Sequence, residues 1–531
     1  MKRATPAPPS SPTRKAESAA PAAALPLSLR RFFYFTAALT GAAIMIVEIL
    51  GAKMLSPYIG TSHFVWTAQI AVTLVALAGG YYAGGRLADR SQQPHWLYAA
   101  ILGAAVYLAL TVLVVEHIAY WCLDLNLALG SLLASALLFF VPLSLLAMTG
   151  PFLVRVITSS VAGVGGNVGR LTSISTLGSF AGTLLIGYVL IPFLPNSVTM
   201  YVTALALLLL SLVYFVGFRR RATAPVVIAL LTLVTVGIPL RQSFNHNYRL
   251  VIERFRTNSH FGQIQVLDHR QKPIRYFLND NLIQNAYDLD RKLSPLSFSY
   301  ILAGLARAYT IEINDVLVIG MGVGIVPMDF ARAGVRVDTV EINPAVLPIA
   351  VKFFEFQPDK INLTLGDGRH FLNRSNRQYD VVILDAFLGD SFPSHLMTRE
   401  TFTTVRRLLR PNGCILVHSF GDLKPGQDYL LGSLKKTLQT VFGSLRVHTN
   451  GEGAFFFAAG DSLPDRPTQP FIPQAVHPEA QAEVLAAFSS TVDALPDTGS
   501  VLTDDFNPAD YYDAHNREIL RRRLAKTARQ M

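Results

Sequence analysis

The chain has 531 residues, of which 51% are hydrophobic and only 15% are charged, and its formal net charge is +10. A chain of this length is too long for a single hydrophobic core, so at least two domains are expected. Its basic residues lie beside the apolar runs and in the tails, which is typical of membrane topology and argues against nucleic-acid binding. The two cysteines, Cys122 and Cys414, lie in different halves of the sequence, which argues against a disulfide framework and a cysteine metal site.

The N-terminal half of the sequence predicts a helical membrane domain. Residues 1–28 are rich in Pro, Ala and Ser, with scattered basic residues, and predict a disordered cytoplasmic tail. A bilayer core needs about 20 apolar residues per helix, and residues 29–242 are dominated by runs of that length. They predict a multi-pass bundle in the lipid bilayer of the cell (inner) membrane, with about seven spans at 32–54, 64–85, 95–116, 126–149, 171–191, 197–216 and 222–240.

The arginines near these runs predict the orientation of the bundle. One side collects Arg30, Arg31, Arg86, Arg90, Arg155, Arg170, Arg219, Arg220 and Arg221. The other side has only Lys53 and Arg241 near the span ends. Because positive loops favour the cytoplasm, we expect a cytoplasmic N-terminus. Seven crossings would put the C-terminal domain outside the cell membrane. Because the seventh run is short and would leave the domain in the cytoplasm if it did not cross, the sequence allows either side.

One acidic residue falls inside the first predicted span. A carboxylate at the depth of Glu48 is costly in lipid, so it should face protein or water. Two interpretations remain, a role in proton or cation handling and a hydrogen-bonded structural carboxylate.

The C-terminal half reads as an α/β protein. The segments FGQIQVLD and IRYFLND predict a small β subdomain within residues 246–300. In residues 301–531, strand patterns alternate with helix patterns. That alternation predicts a parallel, doubly wound sheet, so we expect a Rossmann-like domain of the class I methyltransferase type.

A glycine-rich turn marks the predicted ligand site. The strand in VLVIGMGVG runs directly into Gly320, Gly322 and Gly324, which allow a tight turn and close approach of a ligand to the backbone. The next strand ends in Glu341, about 20 residues on, where an acid suits the two ribose hydroxyls of an adenosine. The spacing lacks the last glycine of the pyrophosphate fingerprint, which favours an adenosyl sulfonium over a dinucleotide.

Two further strands end in acidic residues. INLTLGDGRHFL places Asp367 and Gly368 at a strand tip, where an adenine amino group would be bound. The following strand ends in Asp385 and opens into a loop with Asp390 and Pro393. Since the carboxyl ends of parallel strands meet at one edge, we expect these groups to form one site.

These motifs, together with FGQIQVLD followed by FLNDNLIQ, resemble the spermidine synthase (polyamine aminopropyltransferase) family in its membrane-fused bacterial form, over residues 255–460. The resemblance implies decarboxylated S-adenosylmethionine as co-substrate, no metal, and a small amine such as putrescine as acceptor. Asp385 would be the proton acceptor. The nucleoside would be held by Gln263, Glu341, Asp367, Gly368 and Pro393, next to the glycine turn.

On the amine side, the resemblance implies roles for Gln284, Tyr300 and Asp390. The sequence departs from the family pattern at three positions, one in the glycine turn and two on the amine side. Val323 replaces an acid, Ile301 replaces the histidine after Tyr300, and Leu388 replaces the second loop acid.

We therefore predict a membrane-bound aminopropyltransferase. Two alternatives remain, a methyltransferase using S-adenosylmethionine and a non-catalytic polyamine transporter or sensor with a nucleoside-binding domain. The histidines show no metal-ligand spacing, so we expect no metal. The sequence leaves room for a homo-oligomer.

Overall fold

The computed structural model describes residues 25–519 and 521, apart from 61, 159–162, 220–222, 244–249, 388–392, 466–474, 490, 493–496, 513 and 515. Most of the predicted tail, 1–24, and the predicted amine-side residue Asp390 lie outside these ranges.

The N-terminal half is a bundle of helices. Six of them are long and apolar enough to cross a membrane: α1 (Leu27–Ile59), α2 (His63–Arg90), α3 (His95–Cys122), α4 (Leu127–Ile157), α5 (Val164–Phe193) and α6 (Asn196–Arg219). The seventh helix, α7 (Thr223–Ser243), has a shorter apolar section, Thr223–Thr235, of about 20 Å at 1.5 Å per residue. Among the residues whose side chains the structure describes, six of the seven predicted spans therefore meet this length, and α7 covers the seventh predicted run.

Small residues bring the helices of the bundle close together. A Cβ atom at Gly178 of α5 would lie 2.0 Å from the carbonyl oxygen of Ala38 in α1, and one at Gly80 of α2 would lie 2.3 Å from that of Ser144 in α4. Only glycine permits such backbone contact, as is common between membrane helices.

The C-terminal half begins with a four-stranded antiparallel meander. Its strands are β1 (Val251–Ser259), β2 (Gly262–His269), β3 (Ile274–Asn279) and β4 (Leu282–Asp288). The β3–β4 turn uses Asp280 and Asn281 with positive φ angles, which short polar side chains tolerate.

A Rossmann-like domain follows the meander. Its strands are β5 (Asp315–Ile319), β6 (Arg336–Glu341), β7 (Asn362–Leu365), β8 (Tyr379–Leu384), β9 (Leu409–Phe420), β10 (Ser444–Thr449) and β11 (Ala454–Gly460). Its helices are α8 (Phe298–Tyr309), α9 (Ile325–Arg332), α10 (Val346–Phe354), α11 (Gly368–Arg374), α12 (Arg399–Leu408), α13 (Tyr429–Gln439), α14 (Gln481–Ser489) and α15 (Ala509–Tyr512).

The strand order is β10-β11-β9-β8-β5-β6-β7. Strands β5 to β9 run parallel, and β11 runs antiparallel to both of its neighbours, β9 and β10, so the sheet is mixed rather than wholly parallel. The chain order reverses between β5 and β8. Ligands of such sheets bind outside the carboxyl ends of the strands at this point.

The two halves contact each other at one end of the bundle. Asp280 in the β3–β4 turn accepts a hydrogen bond of 3.2 Å from Ser56 near the end of α1. Glu518 accepts one of 2.9 Å from the backbone N–H of Leu127 at the start of α4, and Asn258 donates one of 2.7 Å to Leu194 between α5 and α6. The C-terminal domain therefore sits at the end of the bundle opposite the first residues of α1.

Candidate active site

A cavity of about 470 Å³ lies at the carboxyl edge of the sheet, over the β5–β8 crevice. Strands β5, β6 and β8 present their last residues to it, and the β4 strand and the loop before α8 close it from the other side. This volume is in the range of pockets that hold a small organic ligand.

The glycine turn after β5 forms the floor of the cavity. Gly320 and Gly322 line it with φ angles of +96° and +53°. A Cβ atom at Gly320 would lie 2.1 Å from the backbone oxygen of Asp385, so the turn and the β8 tip pack backbone to backbone. The backbone N–H of Val323, the position without the family acid, donates to the side chain of Asn285 from β4 at 3.1 Å.

Glu341 at the β6 tip lines the cavity and is 7% exposed. Its carboxylate accepts hydrogen bonds from the backbone N–H groups of Met321, at 3.1 Å, and Asn343, at 2.8 Å. Burial raises the pKa of Glu341, and these backbone donors oppose the rise.

Asp367 follows β7 and lies next to Glu341 along the edge. Its carboxylate caps α11 by accepting from the backbone N–H of His370 at 2.8 Å, and it contacts His395 Nε2 at 2.9 Å. Burial acts to raise the pKa of Asp367, but the His370 amide and the His395 ring together lower it below its usual value. Gly368 also lines the cavity, where a Cβ atom would lie 2.5 Å from Ile319.

Asp385 follows β8 and pairs with a histidine on β9. Its Oδ1 lies 2.8 Å from Nδ1 of His418, whose side chain is 3% exposed. The imidazole is stacked between the rings of Phe298 and Phe456, with centroids 5.5 and 4.8 Å away. His418 Nε2 is buried and has no hydrogen-bond partner among the described residues.

The structure brings most of the predicted residues to this cavity. Its lining includes Gly320, Gly322, Glu341, Asp367, Gly368, Asp385, Pro393 and Gln284. Gly324 instead begins helix α9 in the left-handed conformation, with φ +90°.

Two of the predicted residues lie elsewhere. Gln263 is not among the lining residues; its backbone pairs with Asp280 in the β3–β4 turn. Tyr300 lines a separate cavity of about 360 Å³ behind the glycine turn and donates to the backbone oxygen of Ser294 at 2.8 Å. Burial raises the pKa of Tyr300 to about 12. The helix register of α8 turns this side chain away from Asp385.

Several lining residues were not predicted from the sequence. They include His395, His418, Asn450 and Glu483. His418 follows an apolar run on β9 next to β8, so strand adjacency was the available signal. Glu483 lies about 100 residues beyond Asp385 in a short helical segment, and no local pattern marks it. Within the described ranges, no group of three or more His, Cys, Asp or Glu side chains is placed to hold a metal ion.

Comparisons with known proteins identify the family of this part of the chain. A family model described as the spermine/spermidine synthase domain matches residues 297–449. The chain is 31% identical over 234 residues to the polyamine aminopropyltransferase of Vibrio vulnificus, covering 40% of this chain and 74% of that protein. The chain belongs to the polyamine aminopropyltransferase family.

Other relatives are more distant. A probable polyamine aminopropyl transferase of Bifidobacterium longum is 27% identical over 237 residues, or 44% of this chain and 51% of that protein. The spermidine synthase structure from Thermotoga maritima covers 46% of this chain and 85% of its own, with 18% identity and a TM-score of 0.35. The family model and the Vibrio vulnificus relative make the C-terminal domain an aminopropyltransferase, and the helical bundle lies outside the segment that the family model matches.

Proposed function

We propose that the protein transfers the aminopropyl group of decarboxylated S-adenosylmethionine to a small amine such as putrescine, with release of methylthioadenosine. The observation that carries this proposal is the charge of the cavity. Among the described residues, its lining includes four carboxylates, Glu341, Asp367, Asp385 and Glu483, and contains neither Lys nor Arg. A cavity lined by one sign of charge favours ligands of the opposite sign, here a sulfonium and an ammonium.

The nucleoside end of the site lies over β6 and β7. Glu341 would accept hydrogen bonds from the ribose hydroxyls, and Asp367 would accept one from the adenine amino group. Pro393 and Leu396 line the same end and would cover the base. The cavity volume of about 470 Å³ and the apolar lining between these acids fit an adenosyl group.

The reacting end lies at Asp385. When bound, the sulfonium donor supplies a methylene carbon activated by its positive sulfur. The acceptor nitrogen forms the new N–C bond as the C–S bond breaks, and the bonding electrons stay on sulfur. The nitrogen must lose a proton, and Asp385 would accept it. His418 contacts Oδ1 and thereby holds the carboxylate.

Purified full-length protein in detergent or nanodiscs tests this proposal. With decarboxylated S-adenosylmethionine and putrescine, we expect methylthioadenosine and an aminopropylated amine in equal amounts by mass spectrometry. Methyl transfer from S-adenosylmethionine without product from the decarboxylated donor would favour a methyltransferase. Binding of methylthioadenosine without turnover of either donor would favour a sensor.

We also propose that the bundle spans the membrane. Support comes from large apolar side chains on the helices, 61–63% exposed in the isolated chain: Leu74, Val75, Leu177, Phe180, Leu231 and Val234. Such a surface is unfavourable in water and suits lipid.

The proposed orientation follows from where the two halves meet. Arg30, Arg86, Arg155 and Arg219 lie at the end of the bundle opposite the C-terminal domain. The positive-inside rule makes that end cytoplasmic. Helix α7, 21 residues or about 32 Å long, would return the chain to the other side. A green fluorescent reporter should then fluoresce at the N-terminus and stay dark at the C-terminus; fluorescence at both ends would contradict the proposed orientation.

A further inference from the structure

The four carboxylates of the cavity differ in their partners. Glu341 and Asp367 accept hydrogen bonds from backbone N–H groups at the nucleoside end. Asp385 contacts the ring of His418. The remaining acid, Glu483, is the one to which neither the sequence motifs nor the family resemblance assigns a role.

Glu483 lies in the first turn of α14 and faces the cavity. Its Oε2 accepts hydrogen bonds from Ser297 Oγ at 2.5 Å and from Asn450 Nδ2 at 2.9 Å, and both donors also line the cavity. These neutral donors fix the carboxylate but leave its charge uncompensated. Within the described residues, no Lys, Arg or His nitrogen lies within 4.0 Å of it, so a bound cation would gain its full attraction.

The sheet orders the groups along the cavity. Glu341 and Asp367 follow β6 and β7, Asp385 follows β8, and His418 lies on β9. Asn450 lies in the β10–β11 hairpin next to β9, on the far side of Asp385 from the nucleoside end. Strands are spaced about 4.8 Å apart, so β11 lies about 10 Å from β8.

The loop before α8 connects Asp385 with Glu483. Ser297 donates to Glu483, and the next residue, Phe298, stacks on His418, which contacts Asp385. The two acids therefore flank one cavity segment, with aromatic side chains between them. Such a segment suits an extended chain of methylene groups with a cation at each end.

In-line displacement requires the nucleophile to approach from the side opposite the leaving sulfur, which belongs to the nucleoside. The acceptor must therefore occupy the end of the cavity beyond Asp385. We infer that Glu483 binds the second, non-reacting ammonium group of the acceptor diamine. This inference rests on the proposed aminopropyl transfer, and it makes Glu483 the residue that discriminates polyamines from monoamines.

Steady-state transfer to 1,4-diaminobutane and to 1-aminobutane, which lacks the second nitrogen, tests the inference. In Glu483→Gln, KM for the diamine should rise about 10- to 100-fold, as expected for a lost charge-assisted hydrogen bond. The turnover number and the KM of the donor should change little. The kcat/KM for the monoamine should be the same in both proteins. Glu479→Gln is the matched control, because Glu479 lies four residues earlier and pairs with Lys272 at the surface.

Equal losses with both amines would overturn the inference and make Glu483 a structural residue. A higher KM for the donor alone would assign Glu483 to the donor instead. Calorimetry of diaminobutane binding to protein saturated with methylthioadenosine gives the same contrast without turnover, and retained methylthioadenosine affinity shows that the variant is folded. A wild-type protein that binds the diamine through Glu483 but transfers nothing would contradict the proposed function alone.

Discussion

The two edges of the seven-stranded sheet both carry buried acids, but their partners differ. At the amino edge, Asp315 is 1% exposed and accepts from three arginines, Arg336, Arg377 and Arg410. Its neighbours Asp338 and Asp380 are also paired with arginines from this group. Every one of these acids is neutralised by a fixed cation.

At the carboxyl edge, the acids have no such cation. Glu341 and Asp367 are held by backbone N–H groups, and Asp385 by an imidazole, beside a cavity whose described lining residues include neither Lys nor Arg. The comparison teaches that burial of a carboxylate does not distinguish a structural acid from a functional one. The hydrogen-bond partner distinguishes them. An arginine neutralises the carboxylate, whereas polar donors leave its negative charge available to a cationic ligand.

The sharpest test uses the two acids at opposite ends of β8, Asp380 near its start and Asp385 directly after its end. Asp385→Asn removes the proposed proton acceptor with little change of shape. We expect turnover to fall about 100- to 10,000-fold, the usual contribution of a positioned base, while methylthioadenosine affinity is retained. Steady-state kinetics and calorimetry measure the two quantities.

Asp380 at the other end of the same strand is the matched control. It accepts from the backbone N–H groups of Asn314 and Asp315 and pairs with Arg410. Asp380→Asn should lower the melting temperature and leave turnover of the folded protein unchanged. Full activity in Asp385→Asn would show that Asp385 is not the proton acceptor. An acid without an arginine partner would then not mark the active site.

The second prediction concerns the arginine-paired edge. Asp315→Asn removes the charge that three guanidinium groups share; their side chains are 34–67% exposed, and a lost hydrogen bond to a charged group costs about 1.5–3 kcal/mol. We expect the free energy of unfolding of the C-terminal domain to fall by about this amount, measured by chemical denaturation in detergent. Asp329→Asn, which breaks the more exposed pair with Arg307, should cost less than about 1 kcal/mol. Equal effects of the two changes would argue against a special role for the network.

The third prediction concerns the nucleoside end. Glu341→Ala removes the proposed acceptor for the ribose hydroxyls. Affinity for methylthioadenosine should weaken by about 1.5–3 kcal/mol, as for lost charge-assisted hydrogen bonds. Calorimetry with the wild-type and variant proteins measures this difference, and unchanged affinity would remove Glu341 from the site.

Much of this architecture could be predicted from the sequence, because its signals are local. The glycine turn and the acids at Glu341, Asp367 and Asp385 each follow an apolar strand, and parallel strands gather their tips at one edge. The same logic indicated the Rossmann-like domain and the small β meander. The helical bundle was visible from the length of its apolar runs.

Other features depend on tertiary contacts. Glu483 reaches the cavity through helix packing about 100 residues after Asp385, so no spacing rule marks it. The family resemblance implies an amine-side role for Tyr300, but the register of α8 points this side chain into another cavity. The seventh apolar run forms a helix whose described apolar section, Thr223–Thr235, is shorter than the other six.

The smallest expected effect is a pair of opposite pH dependences. Burial acts to raise the pKa of Asp315, but its three arginine partners lower it far below its usual range. A carboxyl with a lowered folded pKa contributes stability above its unfolded pKa of about 3.9, and this contribution is lost as the pH falls below that value. Burial raises the pKa of Glu341, so its contribution to stability is full below about pH 4.3 and is lost as the pH rises through the folded pKa.

Melting curves of ligand-free protein from pH 3 to pH 8 should therefore respond differently to two variants. Asp315→Asn should flatten the loss at the acidic end, and Glu341→Gln should raise stability above about pH 5, by about 1.4 kcal/mol for each unit of the shift it removes. Parallel displacement of both curves at every pH would show that neither carboxyl titrates differently on folding, and would end the electrostatic contrast between the two edges.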